Sequence, residues 1–374
     1  MLRFLTAGES HGPCLVAILE GLPAGVPIDL DALQRQMRRR QLGYGRGPRM
    51  QLETDTVEVL SGVRRGKTLG SPMALLLHNK DASIDRLPVV TQPRPGHADL
   101  TGAIKYDHRD IRNVLERASA RETAARVAVG AVCTQLLSLL DIKLASHVIA
   151  MGSVRAKPMQ PTVAIIRRKA EATPLRCLDP KATKQMMREI DACVNAGDTL
   201  GGVFEVLVEG APPGLGSHVH YDRRLDAILG RAILSIHAVK AVEVGDGVLA
   251  ASLRGSKVQD EIFYAKGKGF HRSSNRSGGF EGGMTTGEPI AVRGFLKPLS
   301  TLRKPLRSVE INTKRTVVAT VERSDVTTVP AAGVVGEAMI AFELVRALLE
   351  KFGGDSLQEL KRNYAGYLRH VQQF

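Results

Sequence analysis

Two short apolar runs open the chain, Leu2–Leu5 and "CLVAILEGL" (14–22), separated only by the glycine-bounded hexapeptide "GESHGP" (8–13). Runs of this length bounded by turn residues read as strands. A connection this short leaves no room for the helical crossover that a parallel pair demands, so the pair is expected to be antiparallel, and a Rossmann domain is not expected. Two later stretches are different. About 110–139, with "VLERASARETAARVAVGAVCTQLLSLL", and about 331–351, "AAGVVGEAMIAFELVRALLEK", are rich in Ala, Leu and Val over helical length. Helices apolar around most of their circumference are buried on more than one side. The second should stop at Gly353-Gly354, and Gly336 within it, at a cost of about 1 kcal/mol in propensity, should mark close packing. In the first, Arg117 and Arg121 are four apart, which in a continuous helix places them on one face. They then need anionic partners, for which Glu116 and Glu122 are nearby.

The pattern repeats. "GESHGPCLVAILEGLPAGV" (8–26) is echoed by "GDTLGGVFEVLVEGAPPGL" (197–215), "LDAL" (30–33) by "LDAI" (225–228), "VEVLSGV" (57–63) by "VEVGDGV" (242–248), and "TLGSPMA" (68–74) by "TTGEPIA" (285–291). Four matches in one order divide a single 1–374 domain into related halves, about 1–145 and 197–352. Each half runs strand, turn, strand, helix, further strands and one long helix. The expected fold is α+β, with central helices packed between outer antiparallel sheets. The proline- and charge-rich segment 151–185 is expected to be an irregular connection. An amphipathic helix over 355–370 is expected to pack on a neighbour.

Composition narrows the function. A chain of 374 residues that is 43% hydrophobic can bury a full core. It shows no basic segment followed by a long apolar one, and no run of about 18 apolar residues, so a soluble cytoplasmic protein with no membrane partner is expected. The four cysteines, Cys14, Cys133, Cys177 and Cys193, are far apart without Cys-x-x-Cys spacing, which disfavours disulfides and a thiolate metal site. The net charge of +14 raises nucleic acid as a partner, but aromatics are 4% and Trp is absent, so stacking platforms are scarce. Many arginines instead sit beside glycine or proline, in "GYGRGPRM" (43–50), "QPRPGHAD" (92–99) and "HRSSNRSGG" (271–279). Guanidinium groups in such loops suit small polyanions, because the fork matches phosphate and carboxylate oxygens.

Three histidines, His11, His97 and His271, lie in glycine- or proline-rich loops where an imidazole can move protons near neutral pH. Gly8-Glu9-Ser10-His11-Gly12 has the Gly-x-Ser-x-Gly spacing of a hydrolase elbow, but a strand follows where that motif requires a helix. "NRSGGFEGGMTTGEP" (275–289) could line a flat ligand with backbone amides, yet it lacks the Lys-Ser/Thr ending of a P-loop. "KPLST" (297–301) and "ERSDVTTVP" (322–330) add Lys297, Arg323 and Asp325, and an Asp two residues from an Arg is commonly just its ion partner.

"GESHGP", "GYGRGPRM", "RPGHADLTGAIKY", "RASARETAARVAVGA", "NRSGGFEGGM", "KPLST" and "RSDVTTVPAAGVV" together resemble the chorismate synthase family, from residue 1 to about 365. Ser277 and Ala241 depart from the Ala and Gly common there. The resemblance implies a homotetrameric lyase with a β-α-β sandwich fold. It would convert 5-enolpyruvylshikimate 3-phosphate to chorismate and phosphate by 1,4-anti elimination, the last common step toward the aromatic amino acids, using reduced FMN without net redox change. It further implies that Arg40, Arg46, Arg49, Arg94 and Arg121 bind substrate. FMN contacts fall on Arg117, Ala118, Ser119, His237, Ala238, Gly282, Lys297, Pro298, Leu299, Ser300, Thr301 and Arg323. His11 would protonate the departing phosphate, His97 reduced flavin near N1, and Asp325 would help remove the C6 proton. Arg40 and Arg46 are also open to an NADP assignment, although substrate phosphate is the better physical partner. With no separate nicotinamide domain in view, NADPH would act through an external reductant. A flavin oxidoreductase and a basic nucleic-acid-binding protein are the rival readings.

Two expectations come from the residues beside that resemblance. The counterpart of His11 in the repeat is Leu200, so the imidazole serves chemistry and not the turn. Crowded arginines in an empty pocket repel one another, so replacing Arg49 or Arg121 should weaken substrate binding while changing stability little or raising it.

Overall fold

The computed structural model describes residues 1–47, 53–322 and 325–374. Strands β1 (Arg3–Ala7) and β2 (Cys14–Glu20) pair antiparallel across the 8–13 turn. Helix α1 (Leu30–Gln41), capped by the Asp29 carboxylate on Ala32 N, leads to β3 (Glu58–Val59) and β4 (Met73–His78). These strands form a four-stranded sheet in the order β1-β2-β4-β3. Next come α2 (Asp99–Tyr106), α3 (Arg112–Leu115) and α4 (Thr123–Ser138). The second half begins with β5 (Lys143–Met151), followed by α5 (Val163–Ala170), α6 (Pro180–Ala196) and β6 (Gly202–Glu209). It continues with α7 (Leu225–Leu234), β7 (Val239–Val244), β8 (Ile290–Leu296), α8 (Val329–Phe352) and α9 (Leu357–Gln373). Its sheet runs β7-β8-β6-β5, with the short Val154–Arg155 strand beyond β5, and all its pairs are antiparallel.

The two strand orders match element for element: β1-β2-β4-β3 against β5-β6-β8-β7. The correspondence extends to single hydrogen bonds. Thr68 Oγ1 accepts from Val26 N (2.9 Å) and donates to Pro23 O (2.6 Å). Thr285 Oγ1 accepts from Leu215 N (2.8 Å) and donates to Pro212 O (2.6 Å). Gly25 and Gly214 hold φ of +86° and +81° in these turns, which only glycine adopts without strain.

α4 and α8 lie against each other between the sheets, flanked by α1 and α7. Their separation is set by small residues: a Cβ on Gly130 would stand 2.2 Å from Ala338 Cβ, and one on Gly336 2.7 Å from the Phe204 ring. Gly336 therefore marks close packing, as expected.

Three expectations are corrected. The segment 110–139 is not one helix. At Ser119 the backbone turns extended (ψ 141°), and the Ser119 hydroxyl caps the 3-10 turn Ala120–Glu122 before α4 starts. Arg117 and Arg121 consequently leave in different directions, Arg117 exposed and Arg121 buried. The segment 151–185 is ordered: Thr162 caps α5, and Asp179 caps α6 with Pro180 in its first turn, so these prolines begin elements. Val163, Ile166 and Ala170 of α5 cover Ala145 and Leu207 on the outer face of the second sheet. Finally, α9 buries Leu360 and Tyr364 against its own chain, with Tyr364 Oη on Leu140 O and Tyr367 Oη on Pro213 O. No helix among the described residues is long and apolar enough to cross a membrane.

Candidate functional site

The 8–13 turn is gripped by the break that precedes α4. Ser10 N donates to Glu116 O (3.1 Å), His11 N to Glu116 Oε2 (2.9 Å), and His11 Nδ1 lies 2.8 Å from the same oxygen. Glu116 is fully buried in its side chain and also accepts from Arg112 (3.0 Å). Burial alone would raise its carboxyl, but the bonds from His11 and Arg112 hold it below the usual range. Arg117, just past Glu116, donates to Gly8 O and Thr6 O from the other side of the turn.

Asn79, at the end of β4, joins this turn to the arginines. Its amide donates to Glu9 O and Gly12 O, and its Oδ1 accepts from Arg121 Nε (2.9 Å). Arg121 also bonds Asp55, whose other oxygen is 2.6 Å from Arg40 of α1. Against the cost of burial, Arg40 and Arg121 keep the Asp55 carboxyl below its ordinary pKa. Arg46, pushed down by burial, is 2.8 Å from Asp325, which also accepts from Gly47 N (2.6 Å). Asp325 is thus paired with an arginine from the far end of the sequence.

A second cluster forms where the 94–99 loop meets the residues after β8. His97 Nδ1 is 2.5 Å from Asp99 Oδ1, and Arg94 donates to Asp99 (2.8 Å) and to Thr301 Oγ1 (2.9 Å). The buried Asp99 carboxyl, which desolvation would raise, is held well below the usual range by His97 and Arg94. Lys297 Nζ and Ser300 Oγ both donate to Gly96 O, and Lys297 N donates to Ala238 O. Ala238 has φ +67°, a left-handed conformation uncommon for a residue with a Cβ. Next to it, His237 Nδ1 is inaccessible and makes no hydrogen bond, and burial pushes the ring's pKa down.

The fold therefore brings His11, Arg40, Arg121 and Asn79 into one network, Arg46 onto Asp325, and His97 and Arg94 onto the 297–301 run. Ala118 and Ser119 sit at the break between helices, with Pro298 and Leu299 in the loop after β8. Gly282 is elsewhere: it turns the hairpin Phe280–Glu281/Met284–Thr285, next to His218, toward the end of β8 opposite Lys297. His271 lies in another hairpin, Ile262–Ala265 with Gly269–Arg272. Arg49 and Arg323 fall outside the described residues. Sequence reasoning missed the carboxylates Asp55 and Asp99 and the bridging Asn79, and it gave Glu116 and Glu122 the wrong partners: Glu116 meets His11 and Arg112, Glu122 meets Arg126, and Arg121 meets Asp55. Asp99 stood in plain sight two residues after His97, while Asp55 and Asn79 carried no signal short of the fold. The expected mutual repulsion of the arginines is also corrected, because Asp55, Asp99 and Asp325 already pair with them. Among the described residues, no cluster of His, Cys, Asp and Glu could hold a metal ion.

The family model described as chorismate synthase matches residues 2–349. A chorismate synthase from Symbiobacterium thermophilum is 56% identical, with 99% of each chain covered, and one from Geobacillus sp. (strain WCH70) is 52% identical over 100% of each. A crystal structure of chorismate synthase superposes with a TM-score of 0.83 at 45% identity, covering 100% of this chain and 99% of that one.

Proposed function

As the chain belongs to the chorismate synthase family of lyases, we propose that it converts 5-enolpyruvylshikimate 3-phosphate to chorismate and phosphate by 1,4-anti elimination, with reduced FMN beside the substrate. The observation that carries this reading is the pairing of two part-buried histidines, each with Nδ1 on a buried carboxylate, with a cluster of arginines. A substrate with two carboxylates and a phosphate needs such charge, and its departing phosphate needs an acid.

Arg40, Arg46, Arg94 and Arg121 bind and orient the anionic groups, and Arg49 is proposed with them. His11 delivers a proton from Nε2 to the leaving phosphate oxygen. Asp325, held by Arg46, helps remove the C6 proton, and His97 holds a proton for the cofactor's N1 edge. Residues fit for FMN are cations that bond only neutral oxygens and a buried ring nitrogen that bonds nothing. Among the described residues Arg117 and Lys297 have no carboxylate within ion-pair distance, and His237 Nδ1 is buried without a hydrogen bond. Partial burial also lowers the Lys297 pKa, so an anion placed there would be welcome. Reduced FMN, when bound, supplies electron density to the ring as the C–O bond breaks. The contacts proposed for it are 117–119, His237, Ala238, 297–301 and Arg323, without Gly282, which lies on a separate hairpin away from Lys297. The enzyme is proposed to be a cytoplasmic homotetramer that receives reduced flavin from an external NADPH-dependent source, with Arg40 and Arg46 serving substrate and not NADP.

Chorismate formation with photoreduced FMN, with NADPH consumption followed in the same reaction, tests this. Chorismate should appear without net flavin oxidation, and rapid NADPH oxidation with FMN alone would favour a flavin oxidoreductase. His11→Ala should fold and bind FMN but lose roughly 10–10⁴-fold in turnover, the range for removing an acid catalyst. Wild-type turnover would remove His11 from the mechanism.

A further inference from the structure

We infer that Glu116, clamped by Arg112, is a positioning residue that fixes His11 with Nδ1 bound and Nε2 free to face the ligand. This rests on reading His11 as the proton donor to the leaving group.

A carboxylate can only accept hydrogen bonds. Since His11 Nδ1 is 2.8 Å from Glu116 Oε2 and 3.0 Å from Oε1, Nδ1 must carry a hydrogen, in the neutral ring as in the charged one. The transferable proton is then on Nε2, where Asp81 Oδ2, at 3.9 Å, is the other charged neighbour. Glu116 also accepts from His11 N, so one side chain sets both the backbone and the ring of that residue.

The internal repeat separates this role from a purely structural one. Glu322 lies fourteen residues before Gly336, as Glu116 lies fourteen before Gly130. Arg112 bridges the two glutamates, Nη1 to Glu116 (3.0 Å) and Nη2 to Glu322 (3.2 Å). One arginine, Arg112, therefore holds both glutamates. The turn that ends in Leu200 is nevertheless held through its backbone, by Leu200 N on Val326 O (2.8 Å). Of these two glutamates, Glu116 is the one that also meets a histidine ring, and at the position of His11 the other turn carries the apolar Leu200.

The test uses the full-length enzyme labelled with 15N-histidine. In the wild type, the neutral His11 ring should be the Nδ1–H tautomer. In Glu116→Gln the amide NH2 can face Nδ1, so the signal should move toward Nε2–H. Turnover should then fall about 10–100-fold with KM changed less than about threefold, as when the group that orients a functional histidine is lost. Glu116→Asp, which keeps an acceptor-only group, should recover part of the loss. An Nε2–H tautomer in the wild type, or Glu116→Gln with wild-type turnover, would overturn the inference. The wild-type spectrum decides even where the variant fails to fold. His11→Ala with full turnover would instead sink the role of His11 and leave the tautomer result to judge Glu116.

Discussion

Arg121 reaches the site already neutralised, and this changes what its removal should do. Asp55 has no exposed side-chain surface and is shared between Arg121 and Arg40. Arg121→Ala should still weaken substrate binding by about 2–5 kcal/mol, the cost of truncating one partner of a buried charge pair. It should also destabilise the empty enzyme by about 2 kcal/mol, less than the ~3–5 of a fully orphaned buried charge because Arg40 remains. The folded Asp55 pKa lies below its ordinary value, so this contribution is present above the ordinary carboxylate pKa, near 4, and is lost as pH falls through the folded value. Urea denaturation at neutral and acid pH measures both parts: the wild-type advantage should shrink in acid. Equal stability at pH 7 would contradict the pairing. Histidines in glycine-bounded loops were legible as candidates from their own neighbours. Their buried carboxylates were not, since Glu116 is far along the chain from His11 and its side chain gives no sign of where it points.

The central helices are an element-scale device that small residues make possible. An added methyl at Gly130 meets Ala338 Cβ, Cα and backbone O at 2.2–2.7 Å, and backbone cannot move aside as a flexible side chain can. Gly130→Ala should therefore cost stability by about 1–3 kcal/mol through overpacking. Gly230 in α7 offers the contrast: a methyl group added there would have nothing within 4 Å, so Gly230→Ala should stabilise by about 1 kcal/mol through helix propensity. Midpoints of chemical denaturation for the pair give both signs, and a stabilised Gly130→Ala would contradict the helix contact. At this scale caps and apolar periodicity were readable, as at the end of α8 before Gly353. The break at Ser119 was not. Ala, Arg and Glu around it all favour helix, and the extended backbone is imposed by the bonds from Glu116 and Arg117 to the 6–11 segment.

Across the whole molecule the two sheets differ in how their outer faces are covered. α5 lies over the second. On the first, Leu5 and Ile18 face each other in register with 74% and 45% of their surfaces exposed, and Ala74 continues the row. The Arg3–Glu20 ion pair flanks this apolar row on one side and Glu58, beside the His78 ring, on the other, so each face offers both charges to an identical face. The proposed homotetramer supplies such a partner, and sheets packed face to face bury rows of this kind. Leu5→Lys with Ile18→Lys should lower the mass measured by light scattering, with the monomer still folded by circular dichroism. An unchanged tetramer would move the interface elsewhere.

Because strand alternation, helix composition and glycine turns are local, the antiparallel start and the long helix before Gly353 were written in the chain itself, but the expected order failed in the second half, whose first strand, Lys143–Met151, lies outside 197–352 and reaches β6 through two helices instead of a turn. The repeated Thr68 and Thr285 motifs carried even the turn bonds, since each lies within one half. Charge in glycine loops likewise pointed to a small polyanion and away from a stacked base. Which carboxylate meets which arginine, that the 110–139 helix breaks, and that 151–185 folds into helices on the second sheet were decided by packing alone. A buried ion pair is selected by three-dimensional proximity and desolvation: the distances between 11 and 116 or 55 and 121 exist only once the first half has folded, and that between 46 and 325 only once the two halves have packed.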